Sequence, residues 1–250
     1  MKYMGSKSRI KTDILKILQK LIDDNNIKTY IEPFCGGCNV IDEIKCDNRI
    51  ANDNNEFLIE MLKKLTEDVN LINEDIFNEV PKELYDECRN RFNNYNFDEE
   101  YPKWYIGAIG FLASYNGRFY DGGYAKTVIS KTGKVRNYYQ EAKNNLINQL
   151  PKLVGIKWYN GDYTFFNDVT DALIYCDPPY ENTKQYGTSK NFNHDKFWEW
   201  IKKMSKNNIV VVSSEIAPND FKCIWEQEII RTQDNRQRFK SIERMFMYEE

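Results

Sequence analysis

Histidine is nearly absent from this sequence: His194 stands alone among 250 residues. No Ser, Cys or carboxylate signature accompanies it, so the position reads as surface or structural. A histidine-centred hydrolase or a His-rich metal site has nothing to rest on. Long apolar runs are missing as well. The longest purely aliphatic stretch, Ile209 to Val212, falls far short of the roughly 20 residues that span a bilayer. Met1 to Ile22 carries charges throughout, unlike a secretory signal. Six cysteines, at 35, 38, 46, 88, 176 and 223, are mostly isolated. A chain of this length folds without a disulfide framework, so reduced thiols, a cytoplasmic location and no membrane partner are expected. Excess charge of one sign is lacking too. Lys plus Arg total 35 against 38 Asp plus Glu, a net charge of -3, which excludes a bulk polycation but leaves room for a local basic patch.

What is present describes a folded domain. Hydrophobic residues reach 41%, enough for a packed core, and aromatics reach 14%, enough to make stacking surfaces worth seeking. After a polar turn at Gly5, Ser6 and Ser8, residues Ile10, Ile14, Ile17, Leu18, Leu21 and Ile22 share one helical face. Thr29 to Phe34 reads as a short strand running into Gly36-Gly37. Arg49 to Asn52 reads as a second, ending at Asp53, before a helix through Phe57, Leu58, Met61, Leu62 and Leu65. This alternation predicts a parallel sheet. From about Pro81 to Leu150 the pattern changes. Lys82 to Phe92 and Trp104 to Tyr115 read as helices, and Asn116 to Asn137 as a polar, basic loop or hairpin. Strand-like runs resume at Ile156 to Asn160, Ala172 to Cys176, Ile209 to Ser213, Glu228 to Arg231 and Met245 to Tyr248. Phe192, Phe197, Trp198 and Trp200 follow helical spacing and are expected in the core. The chain therefore reads as one α/β domain, residues 1–75 and 151–250, interrupted by a helical insertion over 76–150.

The strongest chemical signal is Asp177-Pro178-Pro179-Tyr180, directly after the apolar run Ala172 to Cys176. Two prolines cannot continue a strand, so the chain must leave the sheet rigidly there. That sets a carboxylate, a carbonyl without a competing N–H and an aromatic ring at a strand's C-terminal edge, where open α/β sheets bind ligands. An amine that loses a proton while being alkylated needs acceptors aimed at it, and this tetrapeptide supplies them. The second signal is Glu32-Pro33-Phe34-Cys35-Gly36-Gly37, whose glycines permit close backbone approach to a ligand. Asp53, some twenty residues on, sits where an acid can accept from ribose hydroxyls. A third glycine and a Gly-Lys-Ser/Thr are both missing, so dinucleotide and P-loop readings are poor. Cys35-Gly-Gly-Cys38, with Cys46 nearby, mimics a zinc knuckle, but no second Cys or His pair follows at ligand spacing, and no metal is expected.

The order Lys2-Tyr3-Met4-Gly5-Ser6-Lys7, Glu32 to Gly37, Asn52-Asp53 and Asp177 to Tyr180 resembles the Dam-family (D12 class) DNA adenine N6-methyltransferases. The resemblance covers nearly the whole chain and is loose only in the insertion. It implies a Rossmann-like methyltransferase fold with a mixed, mostly parallel seven-stranded sheet and an inserted target-recognition domain. It also implies S-adenosyl-L-methionine as cofactor, S-adenosyl-L-homocysteine as product, and no metal. Cofactor contacts would fall on Tyr3, Lys7, Phe34, Gly36, Gly37, Asp53 and Asp177, with Asp162 of Gly161-Asp162-Tyr163 accepting from the cofactor's adenine amino group. The family's glycine turn often carries a further Gly where this chain has Cys38. Catalysis would fall on Asp177, Pro178 and Tyr180, which hold and stack on a base flipped out of duplex DNA. The expected assembly is a monomer or weak dimer.

DNA contacts are expected from Asn116, Arg118 and Tyr120 at base edges or in the gap left by the flipped base. Lys126, Lys131, Lys134 and Arg136 are expected at phosphates. A second basic stretch around Arg236 and Arg238, flanked by Arg231, Lys240 and Arg244, reads either as phosphate-binding or as solvated surface. Methylation of another exocyclic amine, on cytosine or RNA, and a nucleic-acid-binding protein without turnover are the alternatives. The intact Asp177, Pro178 and Tyr180 argue against the latter.

Overall fold

The computed structural model describes residues 1–125, 127–129, 133–180, 192–233 and 237–249. Helix α1 (Lys11–Asp24) follows a 3-10 turn, Lys7–Arg9, and buries Ile14, Leu18 and Ile22 at four-residue spacing. Strands β1 (Thr29–Glu32) and β2 (Asn48–Asp53) precede α2 (Glu56–Glu67), which starts where the Asn55 side chain accepts from the N–H groups of Phe57 and Leu58. Next come α3 (Lys82–Asn93), α4 (Lys103–Leu112), the antiparallel pair β3 (Thr127–Ile129) and β4 (Val135–Asn137), and α5 (Tyr138–Leu153). The chain ends in β5 (Lys157–Asn160), β6 (Ala172–Cys176), α6 (His194–Ser205), β7 (Ile209–Ser214), β8 (Phe221–Gln233) and β9 (Gln237–Tyr248).

Seven strands form one sheet in the order β5-β2-β1-β6-β7-β9-β8, parallel through β7, with β9 and β8 antiparallel. This is the expected mixed, mostly parallel Rossmann-like sheet. From β1 the chain builds outward through β2 and β5; from β6 it builds the other way. The reversal between β1 and β6 opens a crevice at their C-terminal ends, where such sheets bind ligands. All five residues of β6 are buried, as befits a parallel strand covered on both faces.

Two elements differ from the sequence expectation. The strand from Thr29 stops at Glu32, because Pro33 has no N–H to donate to the ladder. The last two strands are far longer than the runs at Glu228 to Arg231 and Met245 to Tyr248. Only residues 244–246 of β9 pair with β7, and beyond them β8 and β9 continue as a two-stranded ribbon. There, cross-strand ion pairs such as Lys240–Glu228 (2.9 Å) and Arg244–Glu226 (3.0 Å) replace the apolar alternation that would have marked the strands.

Among the described residues of 76–150, α4 packs into the core of the sheet domain. Every residue of α4 from Tyr105 to Leu112 is buried, in the same apolar cluster as Ile14 of α1 and Leu58 of α2. At Gly107 a β-carbon would lie 2.3 Å from the Phe57 carbonyl oxygen, so only glycine lets α4 approach α2 this closely. Among the described residues, no helix is long and apolar enough to cross a membrane.

Candidate active site

Asp177 leaves the end of β6 and meets Lys7, brought in by the 3-10 turn before α1. The Lys7 ammonium donates to both Asp177 carboxylate oxygens, at 2.6 and 2.7 Å, and lies 4.9 Å from the centroid of the Tyr180 ring. Lys7 is 8% exposed, so this ion pair is well shielded from water on the lysine side. Tyr180 donates its hydroxyl to Glu243 Oε2 at 2.7 Å. Burial, reinforced by the charges of Asp177 and Glu243, holds the Tyr180 phenol well above its ordinary range, so it stays protonated and donates to Glu243.

The glycine turn after β1 lies across the crevice. The space above it is taken by a side chain: a β-carbon on Gly36 would lie 2.8 Å from the Tyr3 ring, and one on Gly37 2.6 Å from Tyr3 Cβ. Tyr3 in turn stacks on Phe111 of α4, with centroids 5.9 Å apart. The glycines therefore admit Tyr3, and the N-terminal segment is folded down onto the turn. Gly36 and Cys38 both have left-handed backbone, at φ 46° and 54°, which explains why a glycine suits the Cys38 position. From beneath, Gln149 of α5 donates to the carbonyls of Gly37 (3.0 Å) and Cys38 (2.9 Å).

Asp53 ends β2 beside this turn. Its carboxylate accepts from the backbone N–H of Gly36 at 3.0 Å and of Asn55 at 2.9 Å, while burial raises its pKa against those two bonds. Its neighbour Asn52 donates to the carbonyls of Pro33 (2.8 Å) and Gly161 (2.9 Å), tying the loops after β1 and β5 together. Asn52 Oδ1 is buried without a partner. Asn160 adds a third tie, to the Asp53 carbonyl at 2.8 Å. Asp162 is exposed and caps the short turn Tyr163–Phe166, accepting from both the N–H and the hydroxyl of Thr164. Phe34 is half-buried in an aromatic group with Tyr163, Phe192 and Phe197, so its ring serves packing first. The helical aromatics Phe197, Trp198 and Trp200 are core residues, and His194 opens α6 against the ring of Phe192.

Glu32, at the end of β1, is 3% exposed and accepts from the Tyr30 hydroxyl at 2.7 Å. Burial, with the charges of Asp42 and Asp177 nearby, pushes it up to about 8 from 4.5, against the Tyr30 bond. Between those two values the folded state holds a proton that the unfolded state has lost. Glu32's contribution to stability is therefore fully present below 4.5 and lost as the pH rises through 8. Glu32→Gln is expected to gain stability over wild type across that range, most at the alkaline end. Thermal melts of both proteins from pH 5 to pH 9 check this; a constant difference would show that Glu32 does not hold the proton.

The residues expected at DNA are placed unevenly. Asn116 is exposed with left-handed backbone (φ 57°). Arg118, next to it, is half-buried; one guanidinium nitrogen lies 3.4 Å from Asp121, and Nε is buried without a partner. Arg136 makes a two-point pair with Glu141 at 2.7 and 3.0 Å, over the Tyr138 ring. Lys2 binds the same carboxylate at 2.7 Å, and hydrogen bonds from the two cations bring Glu141 down to about 2. Lys134 is exposed. Tyr120 is a correction. It is 3% exposed, its hydroxyl donates to the Ile106 carbonyl at 2.8 Å, and its ring packs on Tyr85 and Phe92, so it supports α4 from within and does not reach a base. Lys126, Lys131 and Arg236 lie outside the described residues. Arg238 lies in β9 opposite Thr232, and its side chain is outside them too. Lys240 and Arg244 are engaged by Glu228 and Glu226, which favours the solvated-surface reading for these two. Sequence reasoning missed Glu243, Gln149 and the structural use of Asn52; among these, only Asn52 carried a signal, its place before Asp53. Among the described residues no three His, Cys, Asp or Glu side chains gather as a metal site.

The chain is similar to several known methyltransferases. The Type II methyltransferase M.MjaIII of Methanocaldococcus jannaschii is 28% identical over 253 residues, covering 88% of this chain and 85% of that protein. The modification methylase StsI of Streptococcus sanguinis is 26% identical over 201 residues, covering 71% of this chain and 28% of its own. Among solved structures, the rRNA methyltransferase aviRa from Streptomyces viridochromogenes overlaps 99% of this chain and 86% of its own at 10% identity, with a TM-score of 0.43. Residues 3–237 match the D12 class N6 adenine-specific DNA methyltransferase family, and the chain belongs to it.

Proposed function

We propose that the crevice between β1 and β6 is where S-adenosyl-L-methionine and a flipped adenine of duplex DNA meet, and that Asp177, Pro178 and Tyr180 carry the transfer to N6. The observation that carries this reading is the topology: the glycine turn and Asp177-Pro-Pro-Tyr180 leave adjacent strands at the point where the sheet reverses. The residues suit the cofactor. Two acids, Asp53 and Asp177, lie at the strand ends, Asp177 paired with the buried Lys7, and the unpartnered Asn52 Oδ1 adds an unused acceptor beside Asp53. That excess of acceptors fits a molecule bearing a sulfonium and an ammonium. When bound, it supplies an electrophilic methyl group; no metal is required.

Asp53 and Asp162 keep acceptor capacity for the ribose hydroxyls and the cofactor's adenine amino group, because each carboxylate oxygen offers two lone pairs. Asp177 likewise accepts from Lys7 and retains lone pairs for the target amino group. Its other amino hydrogen falls to the Pro178 carbonyl, and Tyr180 stacks on the base. Both hydrogens held in this way let N6 become tetrahedral, and alignment of the reactants supplies about 7–11 kcal/mol. Tyr3, Lys7, Phe34, Gly36 and Gly37 shape the cradle. Residues 76–150 are assigned to the DNA, Asn116 and Arg118 to bases and Lys126, Lys131, Lys134 and Arg136 to phosphates, with Arg236 and Arg238 as further phosphate contacts. A cytoplasmic monomer or weak dimer suffices for these roles. Incubation with labelled S-adenosylmethionine and randomised duplexes, followed by mapping of the modified base, tests the whole reading. Label on any atom other than adenine N6 overturns it.

Two narrower outcomes follow. Asp53→Ala is expected to weaken cofactor binding by about 1.5–3 kcal/mol, the worth of a charge-assisted hydrogen bond. Calorimetric titration measures this, and unchanged affinity removes Asp53 from the site. Arg118→Ala is expected to relax preference at one base pair, since a good bidentate contact discriminates by roughly 1–3 kcal/mol, whereas Lys134→Ala lowers affinity for all sequences alike. Methylation profiling across single-base variants of the mapped site separates the two. An Arg118→Ala enzyme with the parental preference everywhere places recognition on another segment.

A further inference from the structure

We infer that Glu243 is a positioning residue for methyl transfer: from the C-terminal hairpin it fixes the Tyr180 ring at the angle a stacked target base requires. The inference rests on the reading of Tyr180 given above. Its own observation is the 2.7 Å bond from the Tyr180 hydroxyl to Glu243 Oε2, made by a carboxylate that is 4% exposed. An acid is costly to bury unless partners hold it, so its presence in a mostly apolar sheet calls for a use. The register supplies the geometry. Ser214, the last residue of β7, pairs with Arg244, so Glu243 is the first residue of β9 beyond the end of β7, level with the crevice. Tyr180 is thereby held at both ends. Two prolines stiffen the backbone before it, and Glu243 anchors its far tip, while Lys7 sits 4.9 Å from the ring centroid. A ring free to turn about its side-chain bonds would present its face at many angles, and a misplacement of about 1 Å at a reacting group can cost 10²-fold in rate.

Removal of either end of the bond should slow the same step. Single-turnover methylation by Glu243→Leu and by Tyr180→Phe is expected to fall roughly 10-fold to 100-fold each, the loss of a hydrogen bond to a charged group. The double variant should fall no further than the slower single, because both remove one bond. Glu243→Gln, whose amide oxygen still accepts, should recover most of the rate. Cofactor affinity by calorimetry should stay at the wild-type value, while 2-aminopurine at the target position should report altered stacking of the flipped base. A merely structural role would instead lower melting temperature and cofactor affinity without coupling the two sites.

A wild-type rate in Glu243→Leu, or a double variant whose loss is the product of the singles, overturns the inference. Should Glu243→Leu not fold, a wild-type rate and wild-type 2-aminopurine signal in Tyr180→Phe overturn it equally. Tyr180→Ala distinguishes the underlying reading: a wild-type rate there removes Tyr180 from the target base altogether, whereas loss in Tyr180→Ala with full activity in Glu243→Leu removes Glu243 alone.

Discussion

Replacement of Asp177 by alanine is expected to slow methyl transfer by about 10²–10³-fold, the usual consequence of deleting one preorganised polar contact to the reacting atoms. The same change should weaken the fold. Lys7 would keep its charge while losing both of its close acceptors, and stranding one member of a buried ion pair typically costs about 3–5 kcal/mol. Asp177 itself is 22% exposed, so water can reach part of the gap and the low end of that range is the expectation. Asp177→Asn separates the two effects. It keeps an acceptor for Lys7 and most of the shape, but its amide nitrogen points donors where the target amine needs acceptors, so activity should stay low while stability partly returns. Single-turnover rates and thermal melts on both variants check this. An active Asp177→Ala enzyme would move the chemistry away from the end of β6.

The largest expected loss of stability away from the site comes from Gly107→Ala. The added methyl would fall 2.3 Å from the Phe57 carbonyl oxygen and 3.3 Å from Met61 Cβ, so it meets backbone that cannot swing aside. Overpacking of a tight core typically costs 1–3 kcal/mol and occasionally more; with a backbone clash, about 3 kcal/mol is expected. For a chain of this size that lowers the melting temperature by about 6–12 °C. Calorimetry on the variant is decisive, since the gain in helix propensity from Gly to Ala works in the opposite direction by at most about 1 kcal/mol. A melting temperature at or above the wild-type value would mean that α4 can shift on α2 without loss.

The contrast between what local pattern revealed and what it hid has a physical basis. Asp177-Pro-Pro-Tyr180 and the Gly36-Gly37 turn were legible because proline and glycine restrict backbone in ways that need no tertiary context. Side-chain pairings distant along the chain were invisible: Lys7 and Asp177 each lie in a recognised motif, but their ion pair across 170 positions has no local signal, and Glu243, 63 positions from Tyr180, lies in no motif at all. Tyr120 misled because a tyrosine among basic and polar residues has the composition of a binding surface. Its left-handed backbone (φ 58°) and the Ile106 carbonyl turn it inward instead. The β8–β9 ribbon was underestimated because its polar cross-strand pairs leave no period-two signal, although backbone pairing runs its full length.

The sheet's order also bears on how the chain reaches this state. β1 lies between β2 and β6, and β6 follows only after residues 33–171 have been made. At synthesis rates of about 5–20 residues per second, one edge of β1 waits roughly 7–28 s for its partner. Tyr30 and Ile31, fully buried in the finished protein, lack that cover throughout the wait. The helices of residues 82–112 emerge in the meantime and can already pack on α2, giving the unfinished half of the sheet a scaffold. The segment proposed to present DNA would thus act earlier as a shield for a nascent strand.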